Sequence, residues 1–108
     1  MEKQMPSEEL QQVAFEIILH SGSARTKVHE AFGAMRQGET TKADELLEDA
    51  NQELLLAHKS QTTLLQEYAG GEKIDMEIIM VHAQDHLMTT MTLREVAIEM
   101  NYLYQRSA

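Results

Sequence analysis

Three features of the 108-residue sequence predict an all-α fold, a three-helix antiparallel up-down-up bundle. Apolar and small residues recur in alternating steps of four and three, the seam of helices packed side by side. The pattern is broken at Arg36-Gln37-Gly38-Glu39 and at Ala69-Gly70-Gly71-Glu72-Lys73, where glycine suits the left-handed residue that closes a helix. No stretch carries the period-2 alternation of a strand. Short connections between helices of roughly 40 Å force neighbours to run antiparallel. The whole of residues 1–108 is expected to form a single domain, with residues 1–6 as a flexible tail.

The first helix is expected to start with Ser7 as N-cap and Glu8 and Glu9 where the helix dipole favours anions. Its seam is Leu10, Ala14, Ile17, Ser21, Ala24, Val28, Ala31 and Met35. Ser21-Gly22-Ser23 lies in the middle of it, where a glycine either kinks the helix or admits a close neighbour. Thr40 or Thr41 caps the second helix, with Asp44 and Glu45 in its first turn. Ala43, Leu47, Ala50, Leu54, Ala57, Gln61, Leu64 and Tyr68 form its seam, and Asp44, Glu45, Glu48, Asp49 and Glu53 form an acidic, most simply solvated, opposite side.

The third helix, capped by Asp75 and running to about Gln105, carries two adjacent stripes. One is Ile79, His82, His86, Thr89, Leu93, Val96, Met100 and Leu103; the other is Ile78, Val81, Asp85, Met88 and Thr92. A three-helix monomer needs one core-facing stripe, so the second points to an interface between subunits. A chain this short also hides only about two-thirds of its unfolded surface, which favours oligomers.

Composition excludes several classes. A net charge of −9 and an aromatic content of 5% speak against nucleic acid, which needs cations for phosphates and rings for bases. Acidic surface suits basic protein partners instead. The absence of cysteine removes disulfides, a thiolate nucleophile and cysteine-ligated zinc. No apolar run is long enough to insert in a membrane and Met1 to Pro6 lacks a signal core, so a cytoplasmic protein is expected.

The chemistry concentrates in His82-Ala83-Gln84-Asp85-His86-Leu87-Met88-Thr89. His82, Asp85 and His86, at i, i+3 and i+4, project from one side of a helix. Three interpretations compete: structural histidines satisfied by hydrogen bonds, a metal site on His82 and His86 with an oxygen from Asp85, or a phosphorylated histidine. His82 lies inside the helix, where backbone N–H groups are already used, so side chains must supply any donors to an anion, His86 and Thr89 among them. A carboxylate between Ile78, Val81 and Met88 needs a pairing histidine, a proton or a cation once buried, and on a symmetry axis its copies would converge. Met80 and Leu87 are either core residues or a soft contact for a partner. His20, His29 and His58 are isolated and expected to be polar contacts or surface residues, although His58 with Gln61 could approach the cluster. A histidine phosphotransfer domain of a two-component relay and a structural metal-binding helical bundle are alternatives. The first usually has Lys-Gly after its histidine, where this chain has Gln84-Asp85-His86, and a bundle di-metal enzyme needs paired Glu-x-x-His motifs that are absent.

This run resembles the signature of the lactose/cellobiose-type enzyme IIA proteins of the bacterial phosphoenolpyruvate-dependent sugar phosphotransferase system. Phe15-Glu16-Ile17-Ile18, Ser21-Gly22-Ser23-Ala24-Arg25 and Ala57-His58-Lys59-Ser60-Gln61-Thr62 extend the resemblance over nearly the whole chain. It implies a homotrimer, a nine-helix bundle. It implies that His82 accepts a phosphoryl group from the histidine-containing phosphocarrier protein and passes it to a cysteine of the cognate IIB component. It places Asp85 near the trimer axis with a divalent cation such as Mg2+. His86 carries no role from the resemblance; its spacing suggests a neighbouring donor. Val81-His82-Ala83 looks more like the cellobiose and chitobiose branch than the lactose branch, so a β-linked disaccharide of that kind is the expected cargo of the system.

Overall fold

Leu10, Ala14, Ile17, Ser21, Ala24, Val28, Ala31 and Met35, the seam expected of the first helix, are all buried. The computed structural model describes residues 4–107, folded as α1 (Ser7–Arg36), α2 (Thr40–Ala69) and α3 (Ile78–Arg106). Small residues in the α1 seam let the other helices approach, while Leu10, Ile17, Val28 and Met35 supply the large buried side chains. Burying each of these contributes about 1.5–3 kcal/mol. α2 answers with Ala43, Leu47, Ala50, Leu54, Ala57 and Leu64. Gln61 is half-buried and Tyr68 is exposed, so the α2 seam opens toward its C-terminal end. Helices of this length, about 45 Å at 1.5 Å per residue, give a rod with extents of 63 × 20 × 17 Å.

Cross-helix bonds fix the register. His20 Nδ1 lies 2.7 Å from the Glu53 carboxylate, which ties α1 to α2. Arg94 Nε donates to the Leu47 carbonyl at 2.8 Å and Asn101 Nδ2 donates to the Thr40 carbonyl at 3.1 Å and to Asp44 at 2.7 Å, which ties α3 to α2. The Ser7 hydroxyl donates to the Glu77 carboxylate at 2.8 Å, setting the start of α1 level with the start of α3.

The first turn closes as expected, with Gly38 at φ +77° and the Glu39 N–H donating back to the Ala34 carbonyl at 2.9 Å. In the second, Gly71 takes φ +97° and the Glu72 N–H reaches the Glu67 carbonyl. The N-caps differ from expectation. Ser7, Thr40 and Thr41 are already helical, and the N-cap positions fall on Pro6, Glu39 and Glu77 without side-chain caps. Ser7 directs its hydroxyl to Glu77 instead, and Asp75, held by the Gln4 amide at 2.6 Å, lies in the connection before α3. Asp44 and Glu45 fall beyond the first turn of α2.

The expected tail is also corrected in part. Met5 is buried, and its N–H donates to the Lys73 carbonyl at 2.9 Å, so Gln4–Pro6 pack against the second connection. Met1–Lys3 lie outside the described residues. At Ser21-Gly22-Ser23 α1 runs on as one helix, and a Cβ on Gly22 would meet nothing within 4 Å. The close neighbour allowed for there is therefore absent among the described residues.

The largest correction concerns α3. Its core-facing side is Met80, Ala83, Leu87, Thr90, Ala97 and Asn101, not the stripe through His82 and Leu93. Met80 and Leu87 are thereby core residues. The physical reason is that close helix approach favours alanine, threonine and asparagine here, and these do not register as an apolar stripe.

Among the described residues, two buried polar atoms lack partners, Ser21 Oγ and Asn101 Oδ1. Ser21→Ala removes an unpaired hydroxyl and improves helix propensity, and is expected to raise the unfolding free energy by about 1 kcal/mol. Asn101→Ala deletes the bonds to Thr40 and Asp44 and is expected to lower it by about 2–3 kcal/mol. Denaturant titrations at one protein concentration measure both.

Candidate functional site

With 3.6 residues per turn, the inward face of α3 fixes where the cluster must lie. Ala83 and Leu87 point into the core, so His82 and His86, each one residue earlier, come out on a flank of the helix. His82 is exposed and His86 is half-buried. Their ring centroids are 6.2 Å apart with the planes at 87°, an edge-to-face pair. Asp85 is exposed with Ile78, Val81, Met88 and Thr92, so the whole second stripe faces outward, uncovered within one chain.

The surrounding bonds distinguish the members. Thr90, fully buried, sends its hydroxyl to the His86 carbonyl at 2.7 Å, and the same oxygen lies 3.4 Å from His86 Nδ1. Thr89 is turned to the backbone instead, donating to the Asp85 carbonyl at 2.8 Å, so the donor role considered for it at the site is not prepared. Gln84 is bridged to α2 by the Gln61 amide and donates to the Met80 sulfur at 3.6 Å, which bolts α3 to α2 beside the cluster. Asp85 forms no ion pair with either histidine among the described residues. Nor do His82, Asp85 and His86 gather as ligands: the described residues of one chain hold no group of three or more His, Asp or Glu able to bind a metal. A single-chain metal site on these residues is thus not formed.

The remaining histidines separate. His20 pairs with Glu53, His29 stacks edge-on with Phe32 at 6.2 Å, and exposed His58 lines an α2–α3 groove with Arg94 and Glu95. His58 does not join the cluster, whereas Gln61 reaches it through Gln84. Sequence reasoning missed Thr90 and Gln84. Thr90 stands one helical turn after His86, and that spacing was the available signal.

A shallow depression of about 360 Å³ on α1 is lined by Glu8, Gln11, Gln12, Phe15, Glu16 and Leu19. Because Ser7 is bonded to Glu77 and the two helices run parallel, Phe15 lies as far beyond Ser7 as Asp85 lies beyond Glu77, level with the cluster. Phe15 and Leu19 are exposed apolar residues with carboxylates beside them.

Comparison with known proteins adds an independent finding. The family profile described as "PTS system, Lactose/Cellobiose specific IIA subunit" matches residues 12–105. The chain is 47% identical over 100 residues to the lichenan-specific phosphotransferase enzyme IIA component of Bacillus subtilis (strain 168), covering 93% of this chain and 91% of that protein. The crystal structure of PtcA from S. mutans superposes with a TM-score of 0.92 at 67% identity, covering 94% of this chain and 99% of the other. The IIA(Chitobiose) protein in its solution complex with HPr, from the Escherichia coli phosphotransferase system, superposes with a TM-score of 0.76 at 33% identity, covering 93% and 97%.

Since the His82 ring is exposed and holds nothing in the fold, His82→Ala is expected to leave the unfolding free energy within about 0.5 kcal/mol of wild type. His86→Ala, which gives up the Thr90 contact, is expected to cost about 1 kcal/mol. Thermal and chemical denaturation check both values.

Proposed function

We infer the function from one premise: the chain belongs to the lactose/cellobiose-specific IIA family of the sugar phosphotransferase system. It is a phosphoryl carrier. His82 is the acceptor, and the observation that carries this assignment is an exposed imidazole held on a rigid helix flank beside a second ring. A neutral imidazole nitrogen attacks the phosphorus of the phosphohistidine on the histidine-containing phosphocarrier protein; its lone pair forms the new P–N bond and the electrons of the old P–N bond return to the donor ring. The reverse geometry serves the cysteine thiolate of the cognate IIB component, which takes the phosphoryl group from His82. Such transfers need in-line positioning and charge stabilisation rather than covalent machinery, so an accessible ring on a preformed surface suffices. His86 is the neighbouring polar group of that surface.

Both partners must reach His82. Its exposure supports this, and so does the apolar pair Phe15 and Leu19 rimmed by Glu8 and Glu16 at the same level. That surface suits a phosphocarrier protein with an apolar centre and a basic rim, and takes the role once considered for Met80 and Leu87. Among the described residues no helix is long and apolar enough to cross a membrane.

The uncovered stripe Ile78, Val81, Met88 and Thr92 supports a homotrimer in which α3 packs on its own copies, giving a nine-helix bundle. Asp85 lies within that stripe and is the residue that would hold a divalent cation of the Mg2+ type at the axis. Its exposed carboxylate has no other partner among the described residues, and hard oxygen donors fit such an ion. The cation supplies charge that keeps converging carboxylates from repelling. The system's cargo is a β-linked disaccharide, cellobiose or chitobiose.

Incubation with enzyme I, phosphocarrier protein and phosphoenolpyruvate, read by intact mass, tests the acceptor. One phosphoryl group per chain is expected for wild type and His86→Ala and none for His82→Ala. No label on folded wild type would refute the carrier function. For the assembly, Val81→Glu and Met88→Glu are expected to convert trimer to monomer in analytical ultracentrifugation, with helicity retained.

A further inference from the structure

Thr90 is the only hydroxyl in contact with the ring of His86 among the described residues, and it is fully buried. A threonine hydroxyl has one proton and two lone pairs. The proton is committed at 2.7 Å to the His86 carbonyl, the shorter of its two contacts. What remains at 3.4 Å from His86 Nδ1 is acceptor capacity alone. The ring must then bring the proton to that contact, because two lone pairs facing each other beside a fully buried hydroxyl are unfavourable. A neutral His86 therefore carries its hydrogen on Nδ1 and keeps Nε2 as a bare lone pair. Helix geometry sets this in place: a residue four positions on lies one turn above and bonds back to the carbonyl.

We propose that Thr90 is a positioning residue for phosphoryl transfer, fixing His86 in the Nδ1–H tautomer so that its Nε2 is left to accept a hydrogen bond from the side of His82. The accepted hydrogen is the ring N–H of His82, carried through one water, since the two rings stand 6.2 Å apart edge to face and form no direct hydrogen bond. A His82 ring that donates from one nitrogen keeps the lone pair on the other, and that nitrogen is the nucleophile. The arrangement follows the logic of an activated nucleophile whose neighbour is oriented by a third group. It gives His86 an accepting role before transfer, where spacing alone suggested a donor. The inference rests on the His82 acceptor role for its functional half and on local geometry for its tautomer half.

Long-range ¹H–¹⁵N correlation spectra, recorded at alkaline pH, read the tautomer with no phosphorylation needed. The His86 pattern is expected to show Nδ1–H in wild type and Thr90→Ser, and to shift toward Nε2–H in the isosteric Thr90→Val. An Nε2–H wild type overturns the proposal by itself, whatever the variants do. In the second arm, Thr90→Val is expected to accept phosphate from the phosphocarrier protein about tenfold more slowly, the kinetic equivalent of one hydrogen bond of ~1.4 kcal/mol, with Thr90→Ser restoring the rate. An altered tautomer with an unchanged rate overturns the positioning role. Labelling that persists in His82→Ala would instead overturn the acceptor assignment while leaving the tautomer result intact, so the two failures are distinguishable.

Discussion

The close approach of α3 to the other two helices is the constraint on which the other features depend. Ala83, Leu87, Thr90, Ala97 and Asn101 place that face of α3 in the core, and Arg94 and Asn101 lock it along α2. Once the face is fixed, helical geometry leaves no freedom for the rest. His82 and His86 must come out on a flank, and Ile78, Val81, Asp85 and Met88 must face away from the chain's own core. A slip of one residue would turn His82 inward and bring Asp85 to the half-buried flank that His86 now occupies. The polar bonds near the C-terminal end of α3 thus hold a site that lies several turns away.

That division gives one helix three tasks. Its inner side contributes to a single-chain core whose large residues come mainly from α1. The N-terminal half of its outer side presents aliphatic residues and one carboxylate, a surface that is costly to leave in water and suited to a second copy. Between them lies a strip where exposed and half-buried polar groups are tolerated at little desolvation cost. As the proposed phosphoryl acceptor, His82 needs such a strip because two different proteins would contact it in turn. A deeper histidine would be better ordered but unreachable.

Much of this was legible in the sequence. The four-three seam of α1 identified eight of its nine buried positions, missing Ala34, and Gly38 marked the first turn, because those features rest on local periodicity and on one backbone conformation. The α3 face was not legible in the same way. Its outward stripe is more apolar than its inward one, so an apolar count selects the outward side and overlooks Ala83, Thr90 and Asn101. Caps failed for a related reason: Ser7 and Asp75 are good cap residues whose side chains are bonded across the chain, to Glu77 and Gln4. The histidine pair itself was legible from spacing, whereas the Gln61 bridge to Gln84 and the separation of Asp85 from both rings required the fold.

A chase experiment tests the central claim most directly, that His82 relays phosphate between two proteins. The chain is labelled through the phosphocarrier protein, separated from it, and mixed with the cognate IIB component. The account predicts that label leaves His82 and appears on the IIB cysteine, and that unphosphorylated phosphocarrier protein, supplied instead, takes it back. Label that stays on the chain with both acceptors, or leaves only as free phosphate, would contradict the carrier function.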